Sequence, residues 1–284
     1  MPSFSQLVKK HDYLICIDSE GCAIDTMKCE HFHCYGPCMV MEWELEQWRV
    51  EILERWNEIN LFQMTRGIDR FKALALALTE VDEKYTPIPG VQNMKAWADN
   101  LEELSDDAFL AAIATTPDLE GKECLKKAMA WSDAVDENIL LMPEDLKQPF
   151  RGVRRAMSAS RAVADLVVLG ENRDRLALDW DPLSIQAYVD TFATREQGGL
   201  KALVNRALKL GYEKDHILLI GDTPGDLEFA ERTGICFYPI LVGHEAESWH
   251  EFVERGLDWL KSGDYDAYQF EKKSLFLKNL GGCD

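Results

Sequence analysis

Nowhere in its 284 residues does the chain carry an unbroken apolar run of the length a membrane-spanning helix needs, about 18 residues. The N-terminal stretch MPSFSQLVKKHDYLICID lacks a long apolar segment followed by a small-residue cleavage site, so no secretory signal is expected. Cysteine is scarce, at eight residues, and Cys16 and Cys236 sit inside apolar runs. That placement suits reduced, buried thiols and argues against a disulfide framework. These absences together predict a cytoplasmic protein. Basic residues are in deficit, with 31 Lys and Arg against 50 Asp and Glu and a formal charge of −19. A field of that sign repels phosphate backbones and anionic lipid, so neither nucleic acid nor a membrane is expected as partner. Low-complexity tracts and internal repeats are also missing. With 46% hydrophobic residues, a disordered or collagen-like chain is excluded.

What is present is a set of short, continuous apolar runs. Tyr13 to Ile17, Asp165 to Leu169, Ile217 to Ile220 and Ile235 to Tyr238 each read as a strand buried on both faces. Ala187-Tyr188-Val189 is a shorter candidate. Between them lie helical patterns at Leu200 to Leu210 and Leu227 to Arg232. Strands alternating with helices predict an α/β, Rossmann-like parallel sheet core with helices on both faces. Residues 28–147 read differently. Trp48, Ile52, Trp56 and Ile59 recur at helical spacing, as do Val91, Met94, Trp97, Leu101 and Leu104. No strand-like run interrupts them, and prolines at 87, 89, 143 and 149 punctuate the blocks. The expectation is an all-helical domain at 28–147, inserted into a core made of 1–27 and 148–284. Trp249, Phe252, Val253, Gly256, Leu257 and Leu260 outline a further amphipathic helix.

Two acidic loops follow predicted strands, the position where open α/β sheets bind ligands. One is Asp18-Ser19-Glu20-Gly21-Cys22-Ala23-Ile24-Asp25-Thr26, the other Gly221-Asp222-Thr223-Pro224-Gly225-Asp226. Asp after a strand often serves only as a turn or N-cap residue. Two such loops in one sheet, however, gather carboxylates that repel each other, and a hard cation such as Mg2+ is their natural neutraliser.

With these two loops in order, each in strand context, the chain resembles the haloacid dehalogenase superfamily, most closely its phosphatase-like members with a helical cap after the first motif. The resemblance covers about residues 10–30 and 149–245. It implies that Asp18 is a nucleophile forming an aspartyl-phosphate. It further implies Mg2+ bound by Asp18, the Glu20 backbone carbonyl and Asp222, with Asp226 in support. Glu20 takes the place of the general acid and base, and Gly21 allows a tight turn beneath the phosphate. A cation beside the phosphate is also implied, and Lys201, after the glycines at 198 and 199, is the candidate, with Arg206 and Lys209 behind it. The substrate expected from this likeness is a small phosphorylated metabolite.

The chain departs from that pattern twice. Glu20 stands where the phosphatases have Asp. The second core strand ends Val168-Leu169-Gly170-Glu171-Asn172, without the hydroxyl that the family places there to bind phosphate. The amides of Leu169 and Gly170 or the side chain of Asn172 are the available substitutes. A catalytically impaired or non-catalytic phosphate-binding descendant is therefore the alternative reading. A phosphonate hydrolase and a phosphomutase stay open within the fold, while a dehalogenase would need neither Mg2+ nor the second acidic loop. In the inserted domain, Thr65-Arg66-Gly67-Ile68-Asp69-Arg70 breaks the helical pattern. Arg66 and Arg70 are candidates to grip an anionic substrate, against the plainer reading of an interhelical turn. Cys29, His31, His33, Cys34 and Cys38 fit no standard zinc spacing and are expected to be ordinary helix or hinge residues.

Overall fold

The computed structural model describes residues 2–100 and 106–282. Five strands form one parallel sheet: β1 (Tyr13–Asp18), β2 (Ala164–Gly170), β3 (Thr191–Thr194), β4 (Ile217–Gly221) and β5 (Cys236–Pro239), in the order β3-β2-β1-β4-β5. Successive side chains on a strand alternate faces, so each apolar run feeds two cores. Ile15, Ile17, Leu166, Val168, Leu218 and Ile220 pack on one side. Leu14, Cys16, Val167, Leu169, Leu219 and Phe237 pack on the other. This two-sided burial is why the strands read as continuous apolar stretches, and it confirms the α/β class.

The expected strand at Ala187 to Val189 is corrected. A 3-10 turn, Ser184–Tyr188, occupies that stretch, and β3 begins at Thr191. Polar threonines bracket β3, so its apolar signal is weak. Its place is fixed by long-range bonds instead. The Asp190 carboxylate accepts from the Leu166 amide at 2.8 Å, and the Phe192 amide donates to Pro2 at 2.9 Å.

The chain divides into two compact units, one made of Met1–Met27 and Glu144–Asp284, the other of Lys28–Pro143. The second unit holds α1 (Met27–Glu30, beginning one residue before it), α2 (Gly36–Glu42), α3 (Arg49–Asn57), α4 (Arg70–Lys84), α5 (Val91–Asp99), α6 (Asp106–Thr115) and α7 (Leu119–Leu141). No strand occurs there among the described residues. Its core is aromatic: the Trp131 ring meets Trp56 at 6.0 Å and Phe71 at 5.9 Å between centroids. Leu101 and Leu104, part of the predicted helical pattern, lie outside the described residues. The larger unit adds α8 (Val153–Ser160), α9 (Arg173–Trp180), α10 (Gly199–Lys209), α11 (Pro224–Thr233), α12 (Glu245–Glu251), α13 (Leu257–Ser262) and α14 (Tyr265–Asn279). Within it the outgoing chain pairs with the returning chain. The Asp25 amide donates to Gln148 O and the Phe150 amide to Ala23 O, each at 3.0 Å. Among the described residues, no helix is long and apolar enough to cross a membrane.

Candidate active site

β1 lies at the centre of the sheet. The chain leaves it toward β2 and β3 on one side and β4 and β5 on the other. A crevice therefore opens at the carboxyl ends of the strands where the order reverses, and the acidic residues collect at those ends. Asp18 is the last residue of β1, Asp222 follows β4, and Asp226 lies in the first turn of α11. One carboxylate oxygen from each lies within 4.8 Å of the others.

Local structure fixes this convergence. Thr223 and Asp226 form a capping box: the threonine hydroxyl donates to Asp226 Oδ2 at 2.7 Å, and the Asp226 amide donates back to Thr223 Oγ1 at 3.2 Å. One oxygen of Asp226 thereby orients the other. Gly221 makes room for it, since a Cβ there would stand 2.6 Å from the Asp226 carboxylate. At the other loop, Gly21 adopts φ +73° and donates its amide to Ile24 O at 2.9 Å, while the Ser19 carbonyl accepts from the amides of Ala23 and Ile24. This left-handed turn is one that glycine adopts at little cost.

The three acids strain one another electrostatically. Burial, then the charges of Asp226, Asp222 and Glu20, push Asp18 well above the usual carboxylate range. Burial and Asp222 push Asp226 up to about 6. Convergent hard oxygen donors that resist ionising together match the donor set of Mg2+, which removes the repulsion by binding. The residues present fit that ion.

Glu20 faces a different set of charges. Burial raises its pKa, Arg175 and Arg195 draw it down, and Glu171 and Asp179 raise it again. Asp179 is itself buried and pairs with Arg175 Nε at 3.0 Å and Lys147 Nζ at 3.6 Å. Arg175, Asp179, Lys147 and Arg195 were not anticipated from the sequence. Arg195 directly follows β3, so placing that strand at Ala187 to Val189 hid it as a strand-end residue. Arg175 sits in the first turn of α9, just after β2, where a scan of strand-following loops would have found it.

The other candidates fall in several places. Lys201 is exposed in the first turns of α10, and no hydrogen bond or ion pair joins it to the acids among the described residues. Asn172 caps α9, its Oδ1 accepting from the Arg175 amide at 2.8 Å. Gly170 ends β2, and a Cβ there would meet the Leu176 side chain at 2.5 Å, so close packing accounts for this glycine. Arg66 and Arg70 belong to the smaller unit. The first is buried and donates to Leu61 O, and the second pairs with Asp136 at 2.8 Å and lies 5.3 Å from the Tyr35 ring centre. The Cys and His residues near α1 do not come together as a metal-ligand group among the described residues. His31 instead stacks on Tyr35 and accepts from Trp56 Nε1 at 3.1 Å.

No protein-family model matches the sequence, and no curated protein is similar to it in sequence. Solved structures do match. One from Lactobacillus delbrueckii subsp. bulgaricus, provisionally named a phosphoglycolate phosphatase, has a TM-score of 0.50 at 13% identity, over 86% of this chain and 98% of its own. A haloacid dehalogenase-like family hydrolase from Xanthomonas campestris has a TM-score of 0.47 at 10% identity, over 93% of this chain and 98% of its own. The parallel strand order and the likeness to the Lactobacillus structure give one conclusion: the chain shares the α/β fold of that structure.

Proposed function

We propose that the protein is a Mg2+-dependent phosphatase that hydrolyses a small phosphorylated metabolite in the cytoplasm through an aspartyl-phosphate on Asp18. The observation that supports this best is the convergence of the Asp18, Asp222 and Asp226 carboxylates where β1 and β4 end. In this reading an Asp18 carboxylate oxygen attacks phosphorus, and the bond from phosphorus to the substrate oxygen breaks. Glu20 protonates that departing oxygen. It then takes a proton from water, which attacks the acyl phosphate, releases inorganic phosphate and restores Asp18. Mg2+, held by Asp18, Asp222, the Glu20 carbonyl and Asp226 (directly or through water), would neutralise the charge between nucleophile and phosphate. Lys201, early in α10, is the candidate for the cationic role beside the phosphate. Arg195, which follows β3 and draws the Glu20 pKa down, is a second candidate.

The test is turnover with Mg2+ across a panel of phosphorylated metabolites, wild type against Asp18→Asn. Phosphate release that disappears in the variant is expected. Equal rates in the two proteins on every substrate would sink the proposal. A second reading, a phosphate- or metabolite-binding protein without turnover, is favoured by Leu169, which puts an apolar side chain where a phosphate donor is expected. Losing one such donor typically costs about 3 kcal/mol at a reacting centre. Binding of inorganic phosphate by both proteins, with turnover by neither, would select this reading.

A further inference from the structure

The loop from Ser19 to Ile24 carries Glu20 and immediately follows Asp18; its second half, Cys22 to Ile24, is buried in the core, while the half that bears Glu20 adds no apolar side chain to it. Two tryptophans from distant helices reach it. Trp180, at the end of α9, donates its indole N–H to the Ser19 hydroxyl at 2.8 Å. Trp249, in α12, donates its indole N–H to the Cys22 carbonyl at 3.0 Å. Both rings are fully buried. They are held independently: Trp180 meets Phe192 of β3 edge-on at 5.9 Å, and Trp249 meets Phe252 edge-on at 6.1 Å. The Cys22 thiol adds a contact to Ile220 O of β4 at 3.7 Å. Glu20 lies between the two points of attachment.

We propose that Trp180 and Trp249 are positioning residues that clamp the acidic loop at Ser19 and Cys22, fixing where Glu20 stands relative to Asp18. The catalytic consequence rests on the phosphatase reading, but the clamp itself does not. A buried donor–acceptor pair restricts both partners, and removing the donor leaves the acceptor unsatisfied. Since Ser19 directly follows the proposed nucleophile, loosening it would shift both carboxylates. A displacement near 1 Å at a reacting centre can cost about 100-fold in rate.

Trp180→Phe and Trp249→Phe keep a ring in each pocket and delete the N–H. Tyr265→Phe serves as control, deleting a buried hydroxyl's bond to Phe237 O (3.3 Å) in the same unit, away from both tryptophans and the loop. Ser19→Ala removes the acceptor from the loop side should Trp180→Phe fold poorly. Amide exchange over residues 19–24 should accelerate about tenfold in the loop and tryptophan variants and stay unchanged in the control. Mg2+ affinity, measured by calorimetry, should fall several-fold in the same variants. On a substrate that the wild type turns over, kcat should drop by about 10- to 100-fold with KM within about twofold. Ser19→Ala combined with Trp180→Phe should be no slower than either alone, because the two act as one pair. Exchange over 19–24 at the wild-type rate in the tryptophan variants overturns the clamp. So does a kcat loss that Tyr265→Phe reproduces. If the wild type turns over nothing faster than Asp18→Asn, the phosphatase reading fails, and loop exchange with Mg2+ affinity still decides the clamp.

Discussion

Asp18 and Asp226 bind protons more tightly in the folded chain than in the unfolded one, because burial strips their water and each faces neighbouring negative charge. The sign of the consequence follows from linkage. For acids raised above an unfolded value of 3.8, the stabilisation is complete below that value and lost as pH rises, for Asp226 through about 6. Without metal, then, these groups favour the fold in mild acid and oppose it at neutral pH. Mg2+ should reverse this by binding the ionised form, giving about 2.7 kcal/mol at a concentration 100 times its Kd. The expected result is a Tm gain from Mg2+ over chelator that is large at pH 7.5 and nearly gone near pH 5. A gain independent of pH would show that these carboxylates are not the binding site. Leu169 sets a second residue-scale expectation. Its side chain is buried against the core on one sheet face, so supplying the missing hydroxyl with Leu169→Ser should cost about 2–5 kcal/mol. Urea denaturation reads this directly, and any rescue of activity must be judged against that loss.

At the scale of elements, the amino end of β2 shows how strands are fixed by polar contacts that no hydropathy pattern announces. Asp165 is fully buried there. Burial alone would raise its pKa, but the Tyr212 hydroxyl, the amides of Lys10 and His11 and the His11 ring all hydrogen-bond it, and together they hold it below the usual carboxylate range. Its stabilising contribution is therefore present above the unfolded value of 3.8 and lost as pH falls through the lowered folded value. Asp165→Asn should cost about 1–3 kcal/mol at neutral pH, and the gap from wild type should close as the pH falls below the unfolded value of 3.8 and through the lowered folded one. Denaturation midpoints of both proteins across that range check it. The same kind of bond explains the strand that the apolar pattern misplaced. β3 owes its position to Asp190 and the Pro2 carbonyl more than to its own side chains. Once β3 is moved to Thr191, Arg195 becomes a strand-end residue at the crevice.

At the scale of the molecule, each unit has its own hydrophobic core. Trp131 is fully buried in the smaller one, and Trp131→Ala should destabilise that unit by about 3–5 kcal/mol. The Mg2+-dependent Tm gain should persist, because every proposed ligand lies in the larger unit. Loss of Mg2+ binding in that variant would place part of the metal site elsewhere. The charge of −19 concerns the surface more than the crevice, where one divalent ion would offset the three acids. The sequence by itself determined four of the five strands, the two acidic loops and the helical stretch between β1 and β2, because periodicity, strand ends and turns are local properties of consecutive residues. Only the tertiary structure decided which charges surround Glu20, that Lys201 lies at the surface, and that Trp180 holds Ser19 across 161 positions of chain. Contacts at that separation depend on which faces of distant helices and strands meet, and adjacent residues carry no signal of that pairing.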